Sequence, residues 1–211
     1  MPDAPATEPT ANPIRIKGRP DLRDISDART LKALAHPVRL ALMEALTLNG
    51  AMTATEVGER IGESATTCSF HLRQLAKYGF VEEAGGGKGR ARPWRMVSLG
   101  MRFGNVHDDP ETQVAAGMLG RLIRERQLDR YWNWRETRSS YPEAWQEAAL
   151  DGEYLFNLTL EELNQLNEEV VDLLHDRYRE RMVDPSTRPP GTLPVEFLLF
   201  SFPLQLDTEA S

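Results

Sequence analysis

Apolar residues recur at helical spacing along the first third of the chain, and short polar turns interrupt them. Residues 31–46 keep one face apolar, and the dipeptide His36-Pro37 divides the stretch. Proline is tolerated at the first position of a helix, because the amide that it lacks has no intrahelical partner there. The pattern therefore predicts two short helices that pack through a shared apolar face. That face comprises Leu31, Leu34, Val38, Ala41, Leu42 and Leu46.

Two more helices, separated by a tight turn, are predicted downstream. Thr53 and Glu56 have the spacing of a capping box, in which each side chain satisfies a free amide at the start of a helix. Gly62 permits a sharp turn, and Ser64 is a favourable N-cap for the next helix. This arrangement predicts a helix-turn-helix whose second helix is closed by Gly79. The inward positions of that helix are Cys68, Leu72 and Leu75.

The outward side of this second helix is small, hydroxylic, aromatic or basic, and no acidic residue lies between Glu63 and Glu82. Duplex DNA carries a negative charge about every 1.7 Å of its axis, so a helix that enters a groove must exclude carboxylates. We therefore expect a DNA-binding surface here. For His71 the alternative role is a structural hydrogen bond. Lys77 is expected to bind a phosphate. The expected contacts are Ser64, Thr66, Thr67, Ser69, Phe70, His71 and Arg73.

A hairpin is predicted directly after the helix. Residues 80–84 and 92–98 are strand-like and flank a glycine-rich tip at 85–90. Lys88, Arg90 and Arg92 lie at or near this tip, where they can reach phosphates or a minor-groove edge. A nucleotide-binding loop is excluded, because Lys88 is followed by glycine rather than Ser or Thr, and a strand follows instead of a helix.

Three segments of the sequence resemble the ArsR-type winged helix-turn-helix transcriptional regulators: residues 31–40, residues 69–75 and residues 78–81. The resemblance spans about residues 25–98 and carries nothing about residues 101–211. It implies a bacterial homodimeric repressor that binds double-stranded DNA. In such a dimer, the two recognition helices enter successive major grooves of a pseudo-palindromic operator.

The chain departs from the metal-sensing members of that family. A thiolate site needs at least two soft ligands, and the one cysteine, Cys68, is on the inward side of its helix, where a thiol usually packs. His107 lies in a linker, and His175 has no second histidine at helical spacing. We expect no metal and no other cofactor. No nucleophile lies at catalytic spacing from a base, so the sequence does not indicate an enzyme.

Charge is distributed unevenly along the chain. Residues 14–100 hold 14 Lys and Arg against 9 Asp and Glu, whereas residues 101–211 hold 11 against 21, within a total net charge of −7. Because salt limits the range of interactions between exposed charges to about 8 Å, a basic face can bind DNA while an acidic half points away. One cysteine, the absence of a signal-like start and the absence of a long apolar run predict a cytoplasmic protein without membrane contact.

The predicted fold class is mainly α with small β elements: an N-terminal winged helix-turn-helix and a C-terminal α+β module. Residues 1–13 are rich in Pro, Ala and Thr and are expected to form a disordered tail. Residues 14–100 form the DNA-binding domain, and residues 101–211 form the second module. In the second module we expect helices over about 110–134, within 140–150 and over 159–182. Strand-like stretches at 153–158 and 195–202 are placed so that they could pair.

Two uses of the C-terminal module remain open. A long helix with apolar positions can hold two half-sites about 34 Å apart by dimerisation. A small organic effector of unknown identity could instead bind an aromatic pocket, or these aromatic residues could form an ordinary core. The alternative function for the whole chain is a winged-helix protein-interaction module that does not bind DNA. The aromatic residues are Tyr131, Trp132, Trp134, Trp145, Tyr154 and Phe156.

Overall fold

A computed structural model of the chain describes residues 21–85 and 92–204. The expected tail, residues 1–13, and the wing-tip residues Lys88 and Arg90 lie outside the described residues. Within the described residues the chain is mainly helical with small β elements, as predicted. The helices are α1 (Ala28–Leu34), α2 (Pro37–Asn49), α3 (Ala54–Ile61), α4 (Ala65–Lys77), α5 (Pro110–Thr137), α6 (Glu143–Ala148) and α7 (Leu160–Val183), and the strands are β1 (Leu22–Asp24), β2 (Val81–Glu83), β3 (Trp94–Met96) and β4 (Gly100–Arg102).

Side-chain caps define the helix-turn-helix. The predicted capping box of α3 is formed: the Glu56 amide donates to Thr53 Oγ1 at 3.3 Å, and the Thr53 amide donates to Glu56 Oε2 at 2.7 Å. Gly62 ends α3 in the left-handed region, with φ of +75°. Ser64 then caps α4 by accepting a hydrogen bond from the Thr67 amide at 3.0 Å. These local signals fix where α3 ends and α4 begins.

Gly58 brings the turn close to α3. A Cβ added at this glycine would lie only 2.6 Å from the carbonyl oxygen of Glu63, a distance that side chains do not tolerate. The backbone of the turn can therefore pack against α3 only because residue 58 has no side chain.

One apolar core lies beneath the first four helices, and the beginning of α5 completes it. Cys68 is fully buried in this core, so its packing role is confirmed. Ala115, Ala116 and Leu119 of α5 are buried in the same cluster. The core of the N-terminal half therefore includes residues beyond position 100. Its largest fully buried side chains include Phe80, Leu31, Leu34, Leu42, Leu72, Leu75 and Leu119.

Two small sheets flank the helices. Strands β2 and β3 form the antiparallel hairpin that the sequence predicted, with Val81 opposite Met96. Met52 adds a bridge to this hairpin, because its amide and carbonyl exchange hydrogen bonds with Trp94 at 3.0 and 2.7 Å. Strands β1 and β4 pair in parallel, with Leu22 opposite Gly100. This second pairing joins residues far apart in sequence, and no local pattern predicted it.

The C-terminal half is built differently from the N-terminal half. Helix α7 begins with the predicted capping box, in which the Thr159 amide donates to Glu162 Oε2 at 2.8 Å. No described residue between 120 and 204 is buried. The stretches predicted as strands at 153–158 and 195–202 contain neither helix nor strand, and within the described structure they do not pair with each other. No helix in the described part of the chain has the length and apolar character needed to cross a bilayer.

Contacts with α5 explain why the two stretches do not meet within one chain. The Arg130 guanidinium binds the Glu196 carboxylate, with Nε to Oε2 at 2.9 Å, and Arg124 lies 4.1 Å from the centre of the Phe200 ring. Residues near 196–200 therefore lie along a helix rather than beside another strand.

Candidate nucleic-acid interface

Helix α4 presents one buried face and one exposed face. Cys68, Leu72 and Leu75 anchor the buried face in the core. On the opposite face, Phe70 exposes 54% of its surface, although phenylalanine side chains are usually buried. An exposed aromatic ring among small side chains is typical of a surface that meets a partner. The exposed residues of this helix and its cap are Ser64, Ala65, Thr66, Phe70, Arg73 and Lys77, and Thr67 and Ser69 are half-buried.

The polar groups of this face are oriented by contacts along the helix. Arg73 Nη2 donates to Ser69 Oγ at 3.2 Å, one turn earlier. At the helix start, the hydroxyls of Ser64 and Thr67 lie 2.8 Å apart. Helix N-termini carry a partial positive charge, and no acidic residue lies in the first turn of α4. The face therefore offers a guanidinium, hydroxyls and free amides to a negatively charged ligand.

His71 does not belong to this exposed face. Only 7% of its surface is accessible, and its ring lies 4.4 Å from the ring of His36. Its Nδ1 accepts a hydrogen bond from Arg39 Nε at 3.4 Å. Burial therefore disfavours the expected DNA contact by His71, and its alternative role as a structural hydrogen-bond partner is the one observed. The reason is geometric, because residue 71 lies beside Cys68 and Leu75 on the buried face of α4.

His36 and His71 are both held in the neutral form. His36 caps α2 by accepting the Val38 amide on Nδ1 at 3.2 Å, which a doubly protonated ring could not do. Burial lowers the pKa of His36, and the nearby Arg39 charge lowers it further, against a smaller opposing effect of Glu63. The pKa of His71 is lowered by burial first and then by His36 and Arg39, again opposed by Glu63. Protonation of this pair works against the folded state.

We expect the stability of the domain to fall as the pH drops below about 6.5. Because the folded pKa of each histidine lies below the ordinary value of 6.5, the unfolded chain binds more protons in the range just beneath it. Thermal unfolding between pH 7.5 and 5 measures this dependence. His36→Asn keeps a good N-cap and removes one titrating ring, so its melting temperature should fall less over that range.

His107→Asn is the matched control, because His107 lies in the loop before α5. Over the same pH range, the melting temperature of His107→Asn should fall more than that of His36→Asn. If His36→Asn were as sensitive to pH as the unaltered protein, the histidine pair would not be the source of the effect.

Ion pairs neutralise the base of the β2–β3 hairpin. Arg92 Nη1 lies 2.5 Å from Glu83 Oε2, and Arg95 lies 2.7 Å from Glu82 across the same pair of strands. The hydrogen bond that Arg92 donates to Glu83 raises the pKa of Arg92. Sequence reasoning missed that Glu82 and Glu83 pair with the hairpin's arginines. Arg92 is therefore a weaker candidate for a phosphate contact than its sequence position suggested.

The aromatic residues of the C-terminal half do not form one enclosed site. Tyr131 lies 5.1 Å from Trp132 between ring centres, and Tyr154 stacks on Phe156 at 6.1 Å. Tyr154 nevertheless exposes 74% of its surface. The expectation of an aromatic core is wrong for the described chain, and these residues do not line a closed pocket.

Cys68 and the histidines are the residues that the sequence analysis considered as metal ligands. Burial raises the pKa of the Cys68 thiol, which makes it a poorer nucleophile and ligand. Across residues 21–85 and 92–204, no three His, Cys, Asp or Glu side chains are grouped closely enough to hold a metal ion. His175 contacts Asp21 and Asp176 at 3.8 and 3.2 Å, as part of a link between α7 and the segment before β1.

Comparison with known proteins bears on the N-terminal half. Residues 34–84 match a family model described as a helix-turn-helix domain. A comparison with curated proteins found no match.

Among solved structures, one similar chain is a homodimeric winged helix-turn-helix DNA-binding domain from Mycobacterium bovis, described as a possible ArsR-family transcriptional regulator. Its identity is 25% over 48% of this chain and 74% of that chain, with a TM-score of 0.29. The transcriptional repressor BigR from Xylella fastidiosa has 26% identity over 46% of this chain and 84% of that chain, with a TM-score of 0.29. The PcaV regulator from Streptomyces coelicolor, solved with its natural ligand, has 15% identity over 67% and 74%, with a TM-score of 0.30.

TM-scores near 0.3 do not establish a shared overall architecture, so the assignment depends on the family match and on the geometry of α3, α4 and the hairpin. The matched segment includes the whole of α3, the turn at Gly62, α4 and strand β2. The hairpin that follows α4 is the wing. Residues 34–84 are therefore a helix-turn-helix domain, and with its hairpin the chain carries the winged form that is typical of DNA-binding transcriptional regulators.

Proposed function

We propose that the chain is a sequence-specific transcriptional regulator that binds double-stranded DNA as a homodimer. We further propose that it is a repressor of ArsR type without the metal-sensing cysteines, acting in the bacterial cytoplasm. The observation that carries the proposal is the exposed face of α4, which contains no acid and presents Phe70 and Arg73 outward. A slim helix of this composition suits the major groove, which is about 12 Å wide.

The exposed residues divide into two roles. Arg73 is placed to donate to a guanine edge, and Phe70 suits contact with a thymine methyl group. Thr66, Thr67 and Ser69 supply hydroxyls for further base edges. The proposed phosphate contacts, which hold the register of the helix, are Ser64, Lys77, Lys88, Arg90 and Arg92.

An apolar stripe on α5 supports the homodimer. Val114 and Met118 expose 61% and 59% of their surfaces, and Leu128 and Trp132 are also exposed. At 100° per residue these four side chains fall within about 80° of one another around the helix. Around the helix, this stripe borders the face that buries Ala115, Ala116 and Leu119 in the core. Two copies joined along α5 would hold two α4 helices in a fixed relation, as a pseudo-palindromic operator requires.

Binding-site selection from a pool of random duplexes tests this function. The expected result is enrichment of an inverted repeat whose half-sites lie about one helical turn, 10–10.5 base pairs, apart or a multiple of it. The affinity for the selected duplex should fall steeply with salt, because phosphate contacts release counterions. A pool that stays random after repeated rounds would contradict the proposal.

A further inference from the structure

The C-terminal half leaves a large apolar surface exposed to solvent in the single chain. No described residue between 120 and 204 is buried, and twenty large apolar side chains are exposed between residues 141 and 204. A monomeric protein rarely leaves a contiguous apolar patch above about 600 Å² in water. Twelve of these side chains lie in two stretches that contain neither helix nor strand, which we call the middle segment (residues 150–158) and the C-terminal segment (residues 193–204).

The two faces of the C-terminal segment have different environments. Alternate residues of an extended chain point to opposite sides. On one side, Glu196 pairs with Arg130, and Phe200 lies against the guanidinium of Arg124. The other side meets α7 at Ser201, whose hydroxyl donates to Asn167 Oδ1 at 2.8 Å. Before Ser201 this side presents Val195, Phe197 and Leu199, each more than half exposed, with Phe197 at 63%.

The backbone of the C-terminal segment is also available for pairing. It contains neither helix nor strand and is rich in Val, Leu and Phe, of which Val and Phe favour strands, and within the described residues no strand lies against it. Pro194 and Pro203 bound the stretch 195–202 and limit it to the length of an ordinary strand. An unpaired extended edge with apolar side chains is a template for another strand.

We infer that the C-terminal segment forms a β-strand against the extended apolar segments of a second copy of this chain. The inference extends the homodimer of the proposed function from α5 to the C-terminal half. In this arrangement the middle and C-terminal segments of two copies build one shared sheet across the twofold axis, and their exposed faces become its core.

Area and charge favour a second copy as the occupant. The two segments expose twelve large apolar side chains; at about 100 Å² each this gives roughly 1,200 Å² per copy, against about 800 Å² per partner in a standard interface. The one charged residue of the C-terminal segment, Glu196, is already bound by Arg130. The surface therefore offers nothing basic to a nucleic acid. Both halves of the proposed sheet belong to the same chain, as a self-complementary twofold contact requires.

Hydrogen exchange of the full-length protein over a series of concentrations tests the inference. Where sedimentation shows dimers, the amides of residues 195–202 should exchange at least about tenfold more slowly than where it shows monomers. Fast exchange of these amides in the dimer would overturn the inference. Equally slow exchange in the monomer would also overturn it, because the segment would then be covered by its own chain.

Phe197→Asp provides a second test of the inference, because its carboxylate would be buried in the shared sheet without a partner. The variant should lose the slow exchange of residues 195–202 and dimerise at least about tenfold more weakly. Phe197→Leu should restore both properties. Val106→Asp is the matched control, since Val106 is an exposed apolar residue outside the middle and C-terminal segments and its substitution should leave exchange in the C-terminal segment unchanged.

DNA binding separates this inference from the proposed function. If the inference alone is wrong, the protein still selects an operator and dimerises, but residues 195–202 exchange rapidly and Phe197→Asp behaves like the unaltered protein. If the proposed function is wrong, no operator is selected, whatever residue occupies position 197.

Discussion

Replacing Phe80 with alanine is expected to lower the free energy of unfolding by about 3–5 kcal/mol. Phe80 is fully buried between α4 and the wing, and the Arg23 guanidinium lies 4.1 Å from the centre of its ring. Its amide donates to the Leu75 carbonyl at 3.0 Å, so it also fixes the chain where α4 ends. Domains of this kind are commonly stable by only 5–15 kcal/mol, so the loss is large. Urea denaturation followed by circular dichroism measures it.

Phe70→Ala is the matched control for Phe80→Ala. The same side chain is removed, but Phe70 is exposed on α4, so stability should change by no more than about 0.5 kcal/mol. Its effect should appear instead as weaker binding to the selected duplex. Equal losses of stability in the two variants would contradict the assignment of one phenylalanine to the core and the other to the interface.

Arg73→Ala is expected to weaken binding to the selected operator by about 1–3 kcal/mol, roughly ten- to a hundredfold. Arg73 is exposed at the centre of the α4 face, and Ser69 orients its guanidinium. If the guanidinium donates to a guanine edge, its removal also relaxes the preference at one base pair of each half-site. Band shifts with duplexes substituted at every position measure both effects.

Lys77→Ala is the comparison for Arg73→Ala. Lys77 lies at the end of α4 and carries a positive charge that suits a phosphate. Its loss should weaken all duplexes alike and reduce the dependence on salt by about one counterion. A uniform loss in Arg73→Ala, with no change in preference, would reassign Arg73 to the DNA backbone.

The helix-turn-helix could be predicted from the sequence because its signals are local. The Thr53–Glu56 box, the left-handed Gly62 and the Ser64 cap each act within a few residues, and the structure contains all three. The parallel pair of β1 and β4 could not be predicted, because it joins strands separated by the whole domain. The close approach at Gly58 was likewise invisible, since it depends on where the Glu63 carbonyl lies.

The exposed face of α4 followed from helical periodicity, except at His71. His71 was expected among the DNA contacts, with a structural hydrogen bond as its alternative role, but its spacing from Cys68 and Leu75 places it on the buried face. Its partners, His36 and Arg39, come from another part of the chain. The pairing of Glu83 with Arg92 was missed for a related reason, because it depends on the register of the hairpin.

The C-terminal half shows the limit of local patterns. Neither stretch predicted as a strand forms one in the described chain, because a strand also needs a partner, and alternation of side chains does not say which edge supplies it. Within the described chain, Arg130 and Arg124 hold the C-terminal segment along α5. The sequence pattern thus indicated strands without indicating these contacts.

Methylation interference on the selected operator tests most directly whether α4 lies in the major groove. Guanine N7 faces that groove, so methylation there blocks a helix that occupies it. The account predicts interference at guanines in both half-sites for the unaltered protein, and loss of interference at one guanine per half-site for Arg73→Ala. Tight binding to an operator that contains guanines in both half-sites, with no interference at any N7, would contradict it.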